Sequence, residues 1–305
     1  MGVVGLEESR GPIQIGPQAE ARPPWLRTAL PRHADVHALK VRLRELRLHT
    51  VCESARCPNM HECFARGAAT FMILGNLCTR GCGFCSVPKS RHPGALDSEE
   101  PRNVARMATG MGLRYVVITS VNRDDMADGG AAHFADTVRE VKRALPEARV
   151  EVLTPDFLGR MASVCTVLDA GPHVFNHNME TVPRLYRRVR PQADYRQSLD
   201  VLRFAKAYRP EVLTKSGVMV GLGETHAEIE SVLRDLRAAD VDVATLGQYL
   251  QPTRRNLAVN EYVRPEQFDA YRDYGLGLGF RMVFSGPLVR SSYMADEVHR
   301  EAAGA

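Results

Sequence analysis

Three thiols within eight residues constrain this chain more than anything else in it. They form Cys78-Thr79-Arg80-Gly81-Cys82-Gly83-Phe84-Cys85, a C-x3-C-x2-C run. Thiols this close on one loop can converge on a single metal centre, and thiolate is a soft ligand suited to iron–sulfur clusters and zinc. Three ligands leave a cubane [4Fe–4S] cluster with one iron uncapped, free to bind a small molecule. The two glycines let the backbone fold tightly around the sulfurs, and Phe84 can shield a cluster from water. A zinc knuckle, half of a larger site and unrelated thiols are the other readings, since C-x2-C alone is a common zinc half-site. The added C-x3 spacing with Phe84 favours iron–sulfur.

A second group precedes the first: Cys52, Cys57 and Cys63, spaced C-x4-C-x5-C. It is enough for another cluster and again short by one ligand. His61 is a possible fourth, although a surface histidine is the commoner role. Seven cysteines in all, six of them between Cys52 and Cys85, bear on the compartment. Met1 to Pro24 lacks the apolar core of a secretion signal, and Glu7, Glu8 and Glu20 argue against a transit peptide. Clustered thiols without such a signal read as metal ligands in a reducing cytosol rather than disulfides. A cytoplasmic protein is expected. Cys165 reads as a core cysteine.

The net charge of +4, from 40 basic and 36 acidic residues, is mild and spread out. It asks for no nucleic-acid partner, and no apolar run reaches membrane-spanning length. A length of 305 residues with 44% hydrophobic content suits one large domain with appendages.

Residues 1–34 read as an extended arm with Trp25 as its anchor. A helix follows from about Asp35, with Val36, Leu39, Leu43 and Leu46 on one stripe. From Thr70 the pattern alternates. Strands are expected at Thr70–Leu74, Tyr115–Ser120, Val150–Thr154, Val174–Asn176, Val212–Val220, Val243–Tyr249 and Met282–Ser285. Helical stretches between them include His133–Ala144, Met161–Leu168, Gln197–Tyr208, Glu228–Ala238 and Pro265–Leu276. Such alternation implies a parallel sheet with helices outside it. About six units before the tail predict an α/β fold, a whole or partial TIM-like barrel. Three parts are expected: 1–67 with the first thiols, 68–285 as the barrel, and 286–305 as a tail.

Ligands of a parallel barrel sit at the C-terminal ends of its strands, and the Cys78–Cys85 run follows the first strand. Other strand ends are polar too: Asn122-Arg123-Asp124-Asp125, Asn176-His177-Asn178-Met179-Glu180, Gly221-Leu222-Gly223-Glu224 and Gln248-Tyr249-Leu250-Gln251-Pro252. Each alone could be ordinary capping; four on the side of the cysteines favour a site. Lys215 is a strand-end lysine, commonly solvated, with a carboxylate contact as the other option. Arg184, Arg187, Arg188 and Arg190 form a basic run that could be a docking surface for an acidic carrier domain or simply a solvated helix.

Taken in order, C-x4-C-x5-C, C-T-R-x-C-x-F-C, N-R-D-D, F-N-H-N-x-E-T, G-L-G-E-T, Q-Y-L-Q-P and a terminal Arg290-Ser291-Ser292-Tyr293 closely resemble the lipoyl synthase family of radical S-adenosylmethionine (SAM) enzymes, from about residue 23 to 295. Gly81 and Gly83 stand where family members often carry bulkier residues. The resemblance implies a partial (β/α)6 barrel of the radical SAM type and two [4Fe–4S] clusters. Cys78, Cys82 and Cys85 would hold the SAM cluster. Cys52, Cys57 and Cys63 would hold an auxiliary cluster with the Ser292 hydroxyl as fourth ligand, Ser291 being the alternative. Serine oxygen is a harder, weaker partner for iron than thiolate, suited to a cluster corner that must come apart. Asn122, Arg123 and Asp124 are implied for the polar end of SAM, Gly221 and Glu224 for its ribose, and Asn178 and Glu180 for its sugar or a substrate amide. Arg290 would stand beside Ser292.

The implied reaction takes hydrogens from C6 and C8 of an octanoyl chain held on a carrier-domain lysine. Two sulfur atoms from the auxiliary cluster replace them, and two SAM are consumed. The carrier would be the lipoyl domain of a 2-oxoacid dehydrogenase E2 or a glycine-cleavage H protein, and an electron donor such as ferredoxin or flavodoxin would feed the cluster. Another sulfur-inserting radical SAM enzyme is the nearest rival. An iron–sulfur electron carrier or a zinc-binding module is the rival from another class.

Overall fold

The computed structural model describes residues 22–26, 33–54, 57, 59 and 69–292. Most of the expected arm, together with His61, Cys63 and Tyr293, lies outside them. Eight strands follow one another across a single sheet in chain order: β1 (His49–Thr50), β2 (Thr70–Ile73), β3 (Tyr115–Ser120), β4 (Arg149–Leu153), β5 (Val174–Asn176), β6 (Leu213–Val220), β7 (Val243–Gln248) and β8 (Met282–Gly286). Strands β2 to β8 are parallel neighbours, and β1 adds antiparallel to the edge of β2. The first segment therefore extends the barrel wall.

Each parallel strand hands on to a helix: α2 (Glu100–Gly110), α3 (Ala131–Ala144), α4 (Met161–Asp169), α5 (Tyr195–Tyr208), α6 (His226–Ala238) and α7 (Pro265–Gly277), with α1 (His33–Glu45) before the barrel. Six β/α units closed by an eighth strand match the expected partial barrel. The order runs linearly from β1 to β8, so strand pairing does not close the wall among the described residues.

Local chemistry sets these boundaries. Strands β2 and β7 are buried along their whole length, as strands covered on both faces must be. Helix α6 opens on a reciprocal cap between Thr225 and Glu228, and α5 on Asp194, whose side chain accepts from the Gln197 N–H; both satisfy first-turn N–H groups that lack helical partners. The apolar core divides at the middle of the sheet. Phe71, Val116, Val150 and Phe175 pack with α2, α3 and α4. Val220, Leu246, Leu233 and Phe268 fill the second half. Burial of each such side chain contributes roughly 1.5–3 kcal/mol.

Three expectations change at this level. Lys215 is not solvated: it is buried, with Nζ 3.1 and 3.2 Å from the Glu151 carboxylate oxygens, and Glu151 also accepts from Asn176 and Tyr115. A buried ammonium needs such a partner. Trp25 is exposed, and its neighbour Leu26 is the buried residue of that segment. Cys165 is half-buried rather than in the core.

Candidate functional site

The chain leaves β2 through Leu74 and Gly75, both at positive φ, and enters the cysteine loop at the C-terminal mouth of the barrel. Backbone bonds fix that loop on every side. The Cys78 N–H donates to Pro88 O, Thr79 N–H to Asn122 O, Gly83 N–H to Val189 O, and Leu257 N–H to Gly83 O. Asn256 Nδ2 adds bonds to the carbonyls of Gly83 and Cys85. Gly83 is closely packed here: a Cβ would stand 2.9 Å from the Leu257 side chain and 3.2 Å from Arg188 O. Arg80 points inward between two carboxylates, 2.6 Å from Asp124 and 2.6 Å from Asp156. Burial works against the Arg80 charge, but the bonds to Asp156 and Asp124 outweigh it and hold the guanidinium more basic than usual. Asp156, buried as well, is held well below the ordinary carboxylate range by Arg80.

Cys82 and Cys85 resist ionisation. Burial pushes Cys82 up to about 11, with the charges of Cys85 and Glu180 adding to it, and burial also raises Cys85, with Cys78 and Glu180 adding. Three neighbouring thiolates in such surroundings require a positive centre between them. Among the described residues no three Cys, His, Asp or Glu side chains already close on one ion-sized point. A cubane takes its thiolates at separate iron corners, which calls for a wider spread.

A cavity of about 540 Å³ adjoins the loop. Phe84, Asn178, Glu180, the Gly217–Met219 strand end and the Gln248–Pro252 stretch line it on the barrel side. Cys52, Cys57, Arg22, Arg290, Ser291 and Ser292 line the rest. Cys52 and Cys57, the tail serines and Phe84 of the second cysteine loop thus share one chamber, with Cys63 beyond the described residues. Cys52 is buried and raised to about 11 by that burial and by Cys57. Asn178 Nδ2 bonds Glu180 at 3.1 Å and Ser291 Oγ at 3.2 Å. Burial raises the Glu180 carboxyl and lowers Arg290, which faces Cys57 and Arg22. The buried oxygens of Ser120, Asn122, Asn176, Asn178 and Ser285 have no partner, and all lie at or just beyond strand ends. Leaving such groups unmet costs about 1–3 kcal/mol each. Of these residues Asn178 lines the cavity, where its free oxygen can accept a hydrogen bond from a polar ligand.

The other predicted residues stand elsewhere. Asn122 faces the loop, its N–H 3.3 Å from Cys78 Sγ. Arg123 is buried against Asp125 and the Gly94 carbonyl. Asp124 holds Arg80. Gly221 and Glu224 do not line the cavity: the Glu224 carboxylate accepts from the N–H groups of Gly221 and Leu222, and a Cβ on Gly221 would meet Gln248 and Glu261. The basic run also divides. Arg184 pairs with Glu228 at 2.8 Å, Arg190 is buried on the carbonyls of Asn178 and Met179, and Arg187 and Arg188 remain exposed. Sequence reasoning gave no role to Arg80, Asp156 or Arg22. The first two had a signal: an arginine inside the cysteine run, and an aspartate just past a strand end.

Comparison with known proteins agrees with this geometry. The family model described as the radical SAM superfamily matches residues 72–236. Streptococcus suis SuiB bound to S-adenosylmethionine superposes with a TM-score of 0.55 at 12% identity, over 74% of this chain and 54% of that one, a likeness of fold. The chain is a member of the radical SAM superfamily. Residues 8–57 match the N-terminal domain of lipoyl synthase. The lipoyl synthase of Caldanaerobacter subterraneus subsp. tengcongensis is 56% identical over 90% of this chain and 96% of its own. That of Thioalkalivibrio sulfidiphilus is 53% identical over 95% and 91%. Within the superfamily, this chain belongs to the lipoyl synthases.

Proposed function

We propose that the chain inserts two sulfur atoms at C6 and C8 of an octanoyl group carried on a lysine of a lipoyl domain, and that the chamber between its two cysteine segments is where this happens. The observation that carries the reading is the shared lining: Cys52, Cys57 and Ser292 face the same space as Phe84, Asn178 and Glu180. In this reading Cys78, Cys82 and Cys85 hold the cluster that receives SAM, and Cys52, Cys57 and Cys63 hold the auxiliary cluster. Ser292 suits the fourth position better than Ser291, whose hydroxyl is already engaged by Asn178. When bound, a reduced cluster with SAM supplies a carbon-centred radical able to take hydrogen from an unactivated C–H bond.

The chain's own part is orientation and shelter. Phe84, Val218, Met219, Leu250 and Pro252 give the acyl chain an apolar wall and keep water from a reactive centre. Asn178 Oδ1, buried and unpartnered, is placed to accept from an amide or amine N–H. Glu180, its carboxyl raised by burial, can offer a proton or accept one at the same rim. A lipoyl domain of E2 or H-protein type as carrier, ferredoxin or flavodoxin as donor, and a reducing cytosol as the setting complete the reading. The three parts, 1–67, 68–285 and 286–305, then divide the work: the outer two build the auxiliary site and the middle one builds the barrel. Among the described residues no helix is long and apolar enough to cross a membrane.

The test is direct. Anaerobically reconstituted protein should hold about eight irons and eight sulfides per chain. With SAM, reductant and an octanoylated carrier peptide it should return a peptide heavier by two sulfurs less two hydrogens. An unchanged peptide mass alongside normal SAM cleavage would sink the assignment.

A further inference from the structure

We propose that the outer face of the Cys78–Cys85 loop is the docking site of a small acidic one-electron carrier protein, gathered there by Lys89, Arg187, Arg188, Arg254 and Arg255. All five side chains are exposed, and none forms an ion pair with a described carboxylate. The stretches that bear them, 86–96, 183–192 and 250–257, contain no Asp or Glu. Each stretch is bonded to the loop itself. Residue 89 bridges to Cys78, and Lys89 Nζ reaches Cys82 O at 3.4 Å. Val189 O accepts from Gly83 N–H, Gln192 Oε1 accepts from Gly81 N–H, and Leu257 N–H donates to Gly83 O. Five uncompensated cations thus surround one short piece of backbone, a field that draws in an anionic surface.

The wall at that point selects the kind of visitor. Gly83 is closed over by Leu257 and Arg188 O, 2.9 and 3.2 Å from where a Cβ would stand. An acyl arm cannot pass through it, whereas an electron crosses a single layer of backbone without opening it. Gly81 points the same way. Its φ is not left-handed, and a Cβ there would meet nothing nearer than Gln192 at 3.6 Å. Fold and packing would accept a side chain, yet the chain leaves this spot bare, so a partner can come close to the thiols. In the transfer the carrier's reduced centre loses one electron and the loop's cluster gains it; no bond is made and no proton moves.

This inference rests on the loop holding a redox cluster, and the experiment separates the two claims. Reconstituted full-length protein is mixed anaerobically with reduced flavodoxin, and bleaching of the cluster's visible absorbance is followed in time. The unaltered protein should be reduced at a rate that falls as salt is added. The pairs Arg187→Glu with Arg188→Glu, and Arg254→Glu with Arg255→Glu, should each slow that rate by about tenfold at low salt and flatten its salt dependence. Reduction by dithionite at high ionic strength should stay unchanged. Should a Glu pair fold poorly, the matching Gln pair should show a smaller slowing in the same direction, and Lys at both positions should restore the rate. An unaltered flavodoxin rate overturns the proposal. So does an unaltered rate joined to a raised KM for the octanoylated carrier, which would assign the patch to the carrier domain. No bleaching by dithionite in the unaltered protein would overturn the cluster reading instead.

Discussion

Between Cys78 and Cys85 the loop is bonded to the segments around Pro88, Asn122, Val189 and Leu257, and Arg80 anchors it from beneath on buried Asp156 and half-buried Asp124. Among the described residues, Cys52 and Cys57 have fewer such bonds. They share one backbone bond, Cys57 N–H to Cys52 O. Among the described residues, their segment is tied to its surroundings by the β1–β2 pairing just before it, the Arg44–Glu53 ion pair, the Ser86 hydroxyl on Ser54 O and Asn59 Nδ2 on Leu288 O. One cysteine group lies on the loop after β2; the other follows β1 at the edge of the wall, and Asn59 beside it reaches the tail. On the reading proposed above, the contrast fits a centre that stays in place facing one that gives up its sulfur.

The largest effect should come from separating the two groups chemically. In Cys82→Ala, SAM cleavage should fall to background, measured as 5′-deoxyadenosine released, and sulfur insertion should go with it. In Cys57→Ala the nucleoside should still form while the peptide gains no sulfur. Sulfur insertion surviving in Cys57→Ala would erase the division of labour between the groups.

Next is the anchor beneath the loop. Arg80→Met removes the cation between Asp124 and Asp156 and leaves Asp156, fully buried, without its partner. The cost expected from breaking such a buried pair is about 3–5 kcal/mol, read as a lower urea midpoint. A change below about 1 kcal/mol would mean that the backbone bonds alone hold the loop.

A smaller effect is set by pH. His177 is fully buried, bonded to Thr154 O and Ser198 Oγ; burial first, then the nearby Arg190 charge, lowers it to about 4 from 6.5. The unfolded chain takes up this proton as pH falls through 6.5, and the folded protein does not until about 4. Stability from this group is therefore complete above about pH 6.5 and lost as pH falls toward 4. The full shift is on the order of 3 kcal/mol. Urea titrations across that window should show the decline, and His177→Gln should flatten it.

Much of this architecture was legible because repetition made it so. Parallel strands buried on both faces read as apolar runs, and all seven expected parallel strands appear within a residue or two of their predicted ends. The cysteine spacing and the Arg290-Ser291-Ser292 phrase likewise pointed to parts of one chamber. What stayed hidden were pairings across the fold. Nothing local to Lys215 says that Glu151 waits 3.1 Å away, and nothing in N-R-D-D says that its arginine turns to Asp125 while Asp124 turns to Arg80. Glu224 shows the same limit: its carboxylate caps its own turn. A rim residue's type is local information, but its direction depends on which strand lies beside it.

The smallest predicted change probes the less bonded side of the comparison. Asn59 is buried and gives Leu288 O a 2.7 Å bond across 229 residues of sequence. Asn59→Ala should cost about 1 kcal/mol, too little to unfold the barrel. If the auxiliary site depends on the early segment meeting the tail, that loss falls on cluster retention. Challenge with a mild iron chelator should then release roughly half of the iron faster than in the unaltered protein, while SAM cleavage keeps its rate. Equal release from both centres would mean that the Asn59 bond supports the barrel as a whole, and the two cysteine groups would no longer differ in the way they are held.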